Sequence, residues 1–393
     1  MPTNADLTEL LSTALPSTHT WADRPTAKDL LPLPGCAAVF LLVDEAGTPI
    51  QLLTTQQLKR VVISRLSEPG EQRRGRTDLA EVVRGVRWRQ VHSRFEARWW
   101  YYRLARVLHE REYRKLVSFG PAWFLHVDWQ RPIPEMRVSE RIWCRDGDFI
   151  GPWPSQRACQ QSLEGLWDLF ELCRYPEQVR KAPNGTRCAY ADMGRCDAPC
   201  DGSVPLETYI ERTRAAWRFA GGAVDEWIAA ATARMKKAAE SQQYESAGLI
   251  KQQLEFAGKW KERWLPAVRP AEELNLLLVI PATRRKAWKL FLLRRGELTD
   301  GPLLSDRKLA ADTPPWLADT LKAEPAESDP VVRMEQTWLV AHFMQHKEAR
   351  SAIIEGLPSG ELPAELEGSL RDALAKRRTE RPKAEQPESG PEL

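Results

Sequence analysis

The chain of 393 residues carries 57 Lys and Arg against 54 Asp and Glu, for a net charge of +3, and 42% of it is hydrophobic. This composition supports sizeable cores in two to four domains of roughly 100–200 residues each, and it excludes wholesale disorder. No apolar run approaches the roughly 20 residues that cross a bilayer, and the opening MPTNADLTELL lacks a basic-plus-apolar leader, so a cytoplasmic protein without a membrane partner is expected.

In chain order, a short helix is predicted over residues 7–15, followed by a Pro/Thr-rich lead-in to residue 33. AAVFLLV (37–43) reads as a strand, DEAGT (44–48) as a turn and PIQLLT (49–54) as the returning strand of a hairpin. Helical stretches follow, interrupted by a charged loop at 67–75. The longest runs from 94 to 114, where neither Gly nor Pro breaks it. Short strands around a Pro-rich loop at 131–134 are predicted over 119–150, then a helix over 155–173 from the spacing of Leu163, Leu166, Leu169 and Phe170. A Cys-bearing loop runs on to Gly202. Residues 205–263 read as helical with a break between Met235 and Gln243. Ile228, Ala231, Met235 and Ala238 before it, and Tyr244, Ala247, Ile250 and Leu254 after it, give each arm of a helical hairpin an apolar face. Strand signals return at 274–295 and a last helix is predicted near 331–348, ahead of a Pro/Glu/Lys-rich tail expected to be disordered.

Two features suggest chemistry. Between Lys59 and Lys115, sixteen Lys and Arg stand against seven Asp and Glu, with Trp88, Trp99, Trp100, Tyr101 and Tyr102 interleaved. Arginine forks pair with phosphates and stack on bases, so Arg60, Arg98, Arg103 and Arg106 are candidate DNA contacts; a solvated helix face would give the same pattern. The second feature is Cys173, Cys188, Cys196 and Cys200, at gaps of 15, 8 and 4, on a loop turned by Pro183, Gly194 and Pro199. Four thiolates on such loops can surround zinc or an iron–sulfur cluster, and spacing alone does not choose. Cys36, Cys144 and Cys159 are scattered on apolar stretches and read as small buried hydrophobes.

GPWPS (151–155), a helix closing on LFELC (169–173) and CAYADMGRCDAPC (188–200) together resemble UvrC, the excinuclease ABC subunit, in which G-P-Y-P-S leads through a helix to C-x7-C-x3-C. The resemblance implies an iron–sulfur cluster (4Fe-4S) on Cys173, Cys188, Cys196 and Cys200, with zinc as the alternative; the first gap is longer here than in that family. MKKAAESQQYESAGLIKQQL (235–254) is similar to the UVR motif, the hairpin by which UvrC and UvrB recognise each other. This implies a UvrB-like partner met by Met235, Tyr244, Glu245, Ala247, Ile250 and Leu254, although Lys251 and Gln252 replace the family's Arg-Asp. Residues 274–363 resemble the connector that follows this hairpin in UvrC. The RNase H-like nuclease and tandem helix-hairpin-helix domains of that family have no counterpart in the sequence.

The first 120 residues stand where UvrC has its GIY-YIG nuclease domain. There, a tyrosine on each strand activates the nucleophile, an arginine neutralises phosphate charge and a glutamate holds a divalent metal. Aligned on LPLPGCAAVFLL (31–42) and PIQLLTTQQLKR (49–60), Ala37 and Gln51 stand at the tyrosines, Leu53 and Thr54 at the strand glycine and the lysine after it, Val61 at the arginine and Tyr101 at the glutamate. These residues cannot supply proton transfer, a charge clamp or a metal carboxylate, so no catalytic residue is assigned.

The expected fold is α+β and multi-domain: a degenerate GIY-YIG-like α/β domain (1–118), a connector and Cys-cluster module (119–204), a helical region with the UVR hairpin (205–265), a small β-containing UvrC-like connector (270–372) and a disordered tail (373–393). The implied function is a catalytically inactive DNA- and UvrB-type-partner-binding factor of nucleotide excision repair. The alternative is an active DNA endonuclease with a displaced site at Arg60 and Glu96.

Overall fold

AVFLLV contains no polar residue, and only a strand covered on both faces buries six consecutive apolar side chains. In the computed structural model, which describes residues 4–66, 78–118, 120–140, 147–265, 267–323, 329–357 and 361–379, this strand is β2 (Ala38–Val43). It lies between β3 (Pro49–Thr55) and β4 (Gly85–Gln90), antiparallel to both. With β1 (Ser17–Thr20) at the edge, the sheet order is β1–β4–β2–β3. Ala38, Phe40 and Leu42 face α2 (Leu58–Leu66), which buries Leu58, Val62 and Leu66 at one-turn spacing. By the strand's two-residue period, Val39, Leu41 and Val43 turn the other way. α4 (Arg94–Leu108) packs against β2 and β3. The Arg89 guanidinium donates to the carbonyls of Thr13 (2.7 Å) and Ala14 (2.6 Å), a cation closing the C-terminus of α1 (Asn4–Ala14). The short α3 (Leu79–Val82) begins at an Asp78 cap.

The expected hairpin is present with its turn: the Asp44 carboxylate accepts from the Thr48 amide at 2.7 Å. The helix expected to run to residue 114 ends at Leu108. His109 leaves the helical region, and its carbonyl accepts from the amides of Glu112 and Tyr113, so α5 (Tyr113–Val117) forms separately. β4 falls in a stretch read as helical; its arginines mask the strand signal. The charged loop at 67–75 lies outside the described residues, as does Cys144.

The chain divides into two units, one of residues 1–119 with 280–289 and 303–305, the other of the remaining residues. In the second, β5 (Trp123–Val127), β6 (Arg137–Ser139), β7 (Asp148–Trp153) and β8 (Arg269–Pro270) form a sheet of order β6–β5–β7–β8. Gly151 is needed here, since a Cβ at that position would meet the Phe124 ring at 2.4 Å. The Ser155 hydroxyl accepts from the Ala158 amide and starts α6 (Gln156–Leu169), while buried Trp153 Nε1 donates to Ser162 Oγ at 2.8 Å. α7 (Pro176–Val179) and α8 (Ala189–Asp192) punctuate the Cys-bearing loop. α9 (Leu206–Gly221), α10 (Val224–Glu240) and α11 (Tyr244–Arg263) then make the helical region.

β9 (Leu276–Pro281), β10 (Ala287–Arg294), β11 (Glu297–Ser305) and β12 (Ile353–Gly356) form a third sheet of order β11–β10–β9–β12. The helix expected near 331–348 is α13 (Pro330–Gln345), started by an Asp329 cap. The sequence reading names no element over 309–322, and a Pro-Pro pair ordinarily disfavours a helix interior. The structure nevertheless carries α12 (Leu309–Lys322) through Pro314 and Pro315. α14 (Leu366–Thr379) makes residues 373–379 helical rather than tail; 380–393 lie outside the described residues. Among the described residues, no helix is long and apolar enough to cross a membrane.

Candidate functional site

After α6, Glu171 takes a positive φ of 55° and turns the chain so that Cys173 enters the core. Its sulfur accepts from the Tyr175 amide at 3.4 Å. Cys196 meets Cys173 from the far end of the loop, and the two thiols share a hydrogen bond. Cys200 Sγ donates to the Thr186 carbonyl at 3.5 Å, and the Gly185 amide donates to the Cys200 carbonyl at 2.8 Å. Gly185 is required for this approach, because a Cβ there would lie 2.9 Å from the Cys200 Cβ. Cys188 is the half-buried N-cap residue of α8 and makes no side-chain capping bond.

Ion pairs hold the loop. Arg187 reaches Asp192 (3.2 Å) and Asp201 (3.4 Å), Arg212 on α9 joins Glu171 (2.9 Å) and Asp197, and the Arg174 guanidinium sits 4.4 Å over the Tyr190 ring. None of these arginines is picked out by sequence, although Asp197 and Asp201 inside GRCDAPC and beside it point to such anchors.

The hydrogen bond from Cys173 draws Cys196 down to about 7, against the opposing effect of burial. The same bond, and then burial, pushes the Cys173 thiol well up. Burial raises Cys200, with Asp201 and Cys196 adding to it. Cys196 is thus the thiol of the three that ionises most readily, and the three sulfurs are soft donors of the kind that suits zinc or iron. As folded, no group of three or more His, Cys, Asp or Glu converges as a ligand set among the described residues. Cys173, Cys196 and Cys200 feel one another electrostatically.

The helical hairpin is closed by Gln242 at φ 59° and by the Gln243 amide donating to the Ala238 carbonyl at 2.9 Å, a left-handed helix end. Its base is anchored, with Val224, Ala231, Ala257 and Trp260 buried, and Trp260 lying 5.6 Å from the Phe219 ring. Its tip is open. Tyr244 is 71% exposed and Leu249 63% exposed, Glu245 is exposed, and Met235, Ala247, Ile250 and Leu254 are half-buried between the arms.

In the first unit, Ala37 is buried just before β2, Gln51 on β3 accepts from Arg65 Nη1 at 3.1 Å, Val61 lies on α2 and Tyr101 on α4. Glu96 braces the start of α4. Its Oε2 accepts from the His92 amide at 2.6 Å, while Ser93 Oγ accepts from the Glu96 amide at 3.0 Å. Its other oxygen is 3.5 Å from Lys289 Nζ, both side chains buried. Arg60 is exposed on α2. On α4, Arg98 Nη2 donates to the Ser118 carbonyl at 2.8 Å, Arg103 lies 4.7 Å over the Trp100 ring and Arg106 is half-exposed in the last turn. Trp99, Trp100 and Tyr102 are buried, so the interleaved aromatics are core at helical spacing rather than a surface for bases.

Residues 122–219 match the UvrC/Cho excinuclease, middle domain. The UvrABC system protein C of Syntrophotalea carbinolica is 26% identical over 231 residues, 58% of this chain and 37% of that protein. The protein of the same name from Methanosarcina acetivorans is 24% identical over 269 residues, 68% of this chain and 50% of that protein. That from Shewanella halifaxensis is 32% identical over 152 residues, 39% and 25% respectively. The chain spans about two fifths of the length of the first two such relatives, 37% and 38%. No solved structure matches.

Proposed function

We propose that this chain, a UvrC-family relative built on the UvrC/Cho middle domain and corresponding to the N-terminal half of UvrC, is a non-catalytic factor of nucleotide excision repair that binds DNA and a UvrB-type partner. The inactive reading rests on the resemblance of the first 120 residues to a GIY-YIG domain, in which Ala37, Gln51, Val61 and Tyr101 would stand at the positions of the catalytic groups. Loss of even one general acid–base or phosphate-stabilising group costs about 10²–10⁴-fold in rate. A displaced site at Arg60 and Glu96 gains no support, since the Glu96 carboxylate caps α4 and pairs with Lys289.

The open hairpin tip supports partner docking, with Met235, Tyr244, Glu245, Ala247, Ile250 and Leu254 as the contact set. For the thiol loop, Cys173, Cys188, Cys196 and Cys200 would hold an iron–sulfur cluster, with zinc as the alternative. The four sulfurs have the right chemistry for such a group, and since no three of them converge as folded, the loop would have to close around it. When bound, a cluster or zinc supplies cross-linking of loop segments that lack a large core of their own.

Anaerobically purified protein tests these readings in one preparation. It is expected to contain iron and sulfide in near-equal amounts, to bind duplex DNA with an affinity that falls as salt rises, and not to nick that DNA with magnesium or manganese. Nicking that disappears in an Arg60→Ala, Glu96→Ala double variant would restore the displaced-site enzyme. Stoichiometric zinc without colour would replace the cluster by a zinc site.

A further inference from the structure

We infer that the cleft between β3, α4 and α5 is a metal-independent pocket for the phosphate of a DNA strand. The inference rests on the inactive reading above and deepens it, since it says what the former nuclease cleft now does.

The cleft measures about 700 Å³, within the range of small-ligand sites. Its polar wall is Thr54, Thr55 and Gln56 from the end of β3 and Arg94, Arg98 and Tyr101 from α4, over an apolar floor that includes Leu52 and Val117. Arg94, Ala97, Arg98 and Tyr101 are spaced i, i+3, i+4 and i+7, which turns all four to one side of the helix. Among the described residues, no carboxylate lines the cleft.

Two groups in it lack an explanation in terms of packing alone. Arg98 is anchored by its Nη2 to the Ser118 carbonyl, yet its buried Nε has no hydrogen-bond partner among the described residues. A guanidinium keeps its charge in a protein, so this half-buried cation, in a cleft lined by no described carboxylate, favours an anion there. Tyr101 is the other. Burial pushes its phenol above the ordinary tyrosine range, so it stays neutral and can donate its O–H to an anionic oxygen. It stands where the resemblance expects a metal-holding carboxylate. A carboxylate repels phosphate unless a divalent ion sits between them, whereas a tyrosine hydroxyl and two guanidinium groups attract it directly. The Thr54 and Thr55 hydroxyls and the Gln56 amide add donors for phosphate or sugar oxygens, and the floor accepts the sugar's apolar edge. Nothing here activates water, so the pocket holds a strand without cutting it.

The test uses the full chain in EDTA with a fluorescein-labelled single-stranded oligonucleotide, read by anisotropy. Wild type is expected to bind, and a deoxynucleoside monophosphate competes only if a free nucleotide, rather than a strand, is the natural occupant. Arg94 is exposed at the first position of α4, where a carboxylate suits the helix N-terminus. Arg94→Glu should therefore keep the fold, as its melting curve checks, and weaken binding at least ~10-fold. Tyr101→Glu should weaken binding similarly, and Tyr101→Phe by a few-fold. Arg350→Glu, an exposed charge reversal outside the cleft, should change affinity less than ~2-fold. The proposal is overturned if Arg94→Glu and Tyr101→Glu bind like wild type, if Arg350→Glu costs as much as Arg94→Glu, or if binding needs a divalent ion. Metal-dependent nicking by wild type would instead overturn the inactive reading, leaving the EDTA binding result to stand by itself.

Discussion

The thiol loop and the tip of the hairpin lie on either side of α9 in sequence, and they treat their apolar side chains in opposite ways. Cys173, Cys196 and Cys200 are folded into the same core as Leu163, Tyr209 and Phe219 or against it, with Cys200 only 2% exposed. Tyr244 and Leu249, in the first turns of α11, stand in solvent. Apolar periodicity in the hairpin arms reports a face without saying what covers it, and the cysteine spacing of the loop is equally silent about its cover. In the loop the cover is the chain itself; at the hairpin tip it has to come from elsewhere.

Breaking each side of this contrast should give effects of very different size. Phe219, which rests against Phe170 at 5.5 Å and Trp227 at 5.6 Å, belongs to the self-covered side. Phe219→Ala should cost about 3–5 kcal/mol in denaturant unfolding, and partner binding should fall only as far as folding does. Cys196 comes next. In metal-stripped protein its alkylation by iodoacetamide should rise through pH about 7, because the hydrogen bond from Cys173 lowers its thiol; Cys159, raised by burial, should stay unlabelled over the same range. The sign for stability follows from linkage. A thiol lowered from 9.0 to about 7 contributes stability that is fully present above pH 9 and fades as pH falls through about 7, while the raised Cys173 subtracts above pH 9. Equal labelling of both cysteines at every pH would remove the thiol coupling. The smallest stability effect belongs to Tyr244→Asp, within about 0.5 kcal/mol of wild type, since the side chain is exposed. The same substitution should abolish association with a UvrB-type C-terminal hairpin in a titration at micromolar concentrations. A tip variant that unfolds the protein as Phe219→Ala does would erase the distinction between the two regions.

Much of this architecture could be read locally. The β2–β3 hairpin declares itself through an apolar run and Asp-Glu-Ala-Gly-Thr, and the α10–α11 break through a polar Ser-Gln-Gln between two periodic arms. What could not be read depends on partners distant in sequence. β4 looks like part of a basic patch because Arg87 and Arg89 alternate with Val86 and Trp88, and its strand character comes from pairing with β2. The stop at Leu108 has no Gly or Pro, only a turn closed by the His109 carbonyl. The arginine–aromatic interleaving suggests a base-stacking surface, but α4 buries Trp99, Trp100 and Tyr102 and leaves only Tyr101 of its four consecutive rings half-exposed. For the site, cysteine spacing identifies the loop, yet which of the four is buried and which half-exposed is a matter of three-dimensional packing.

The pairing of Glu96 with Lys289 has a consequence for how the protein is made. Breaking a buried ion pair by removing one partner typically costs about 3–5 kcal/mol, a large part of a domain's net stability. Residues 1–118 emerge from the ribosome long before Lys289, and at about 5–20 residues per second they wait many seconds for it. During that interval the capping carboxylate of α4 lacks its lysine, and residues 280–289, which complete the unit, do not yet exist. The N-terminal unit is therefore finished late in synthesis, and a nascent chain halted before residue 289 is the natural target for chaperone binding or proteolysis.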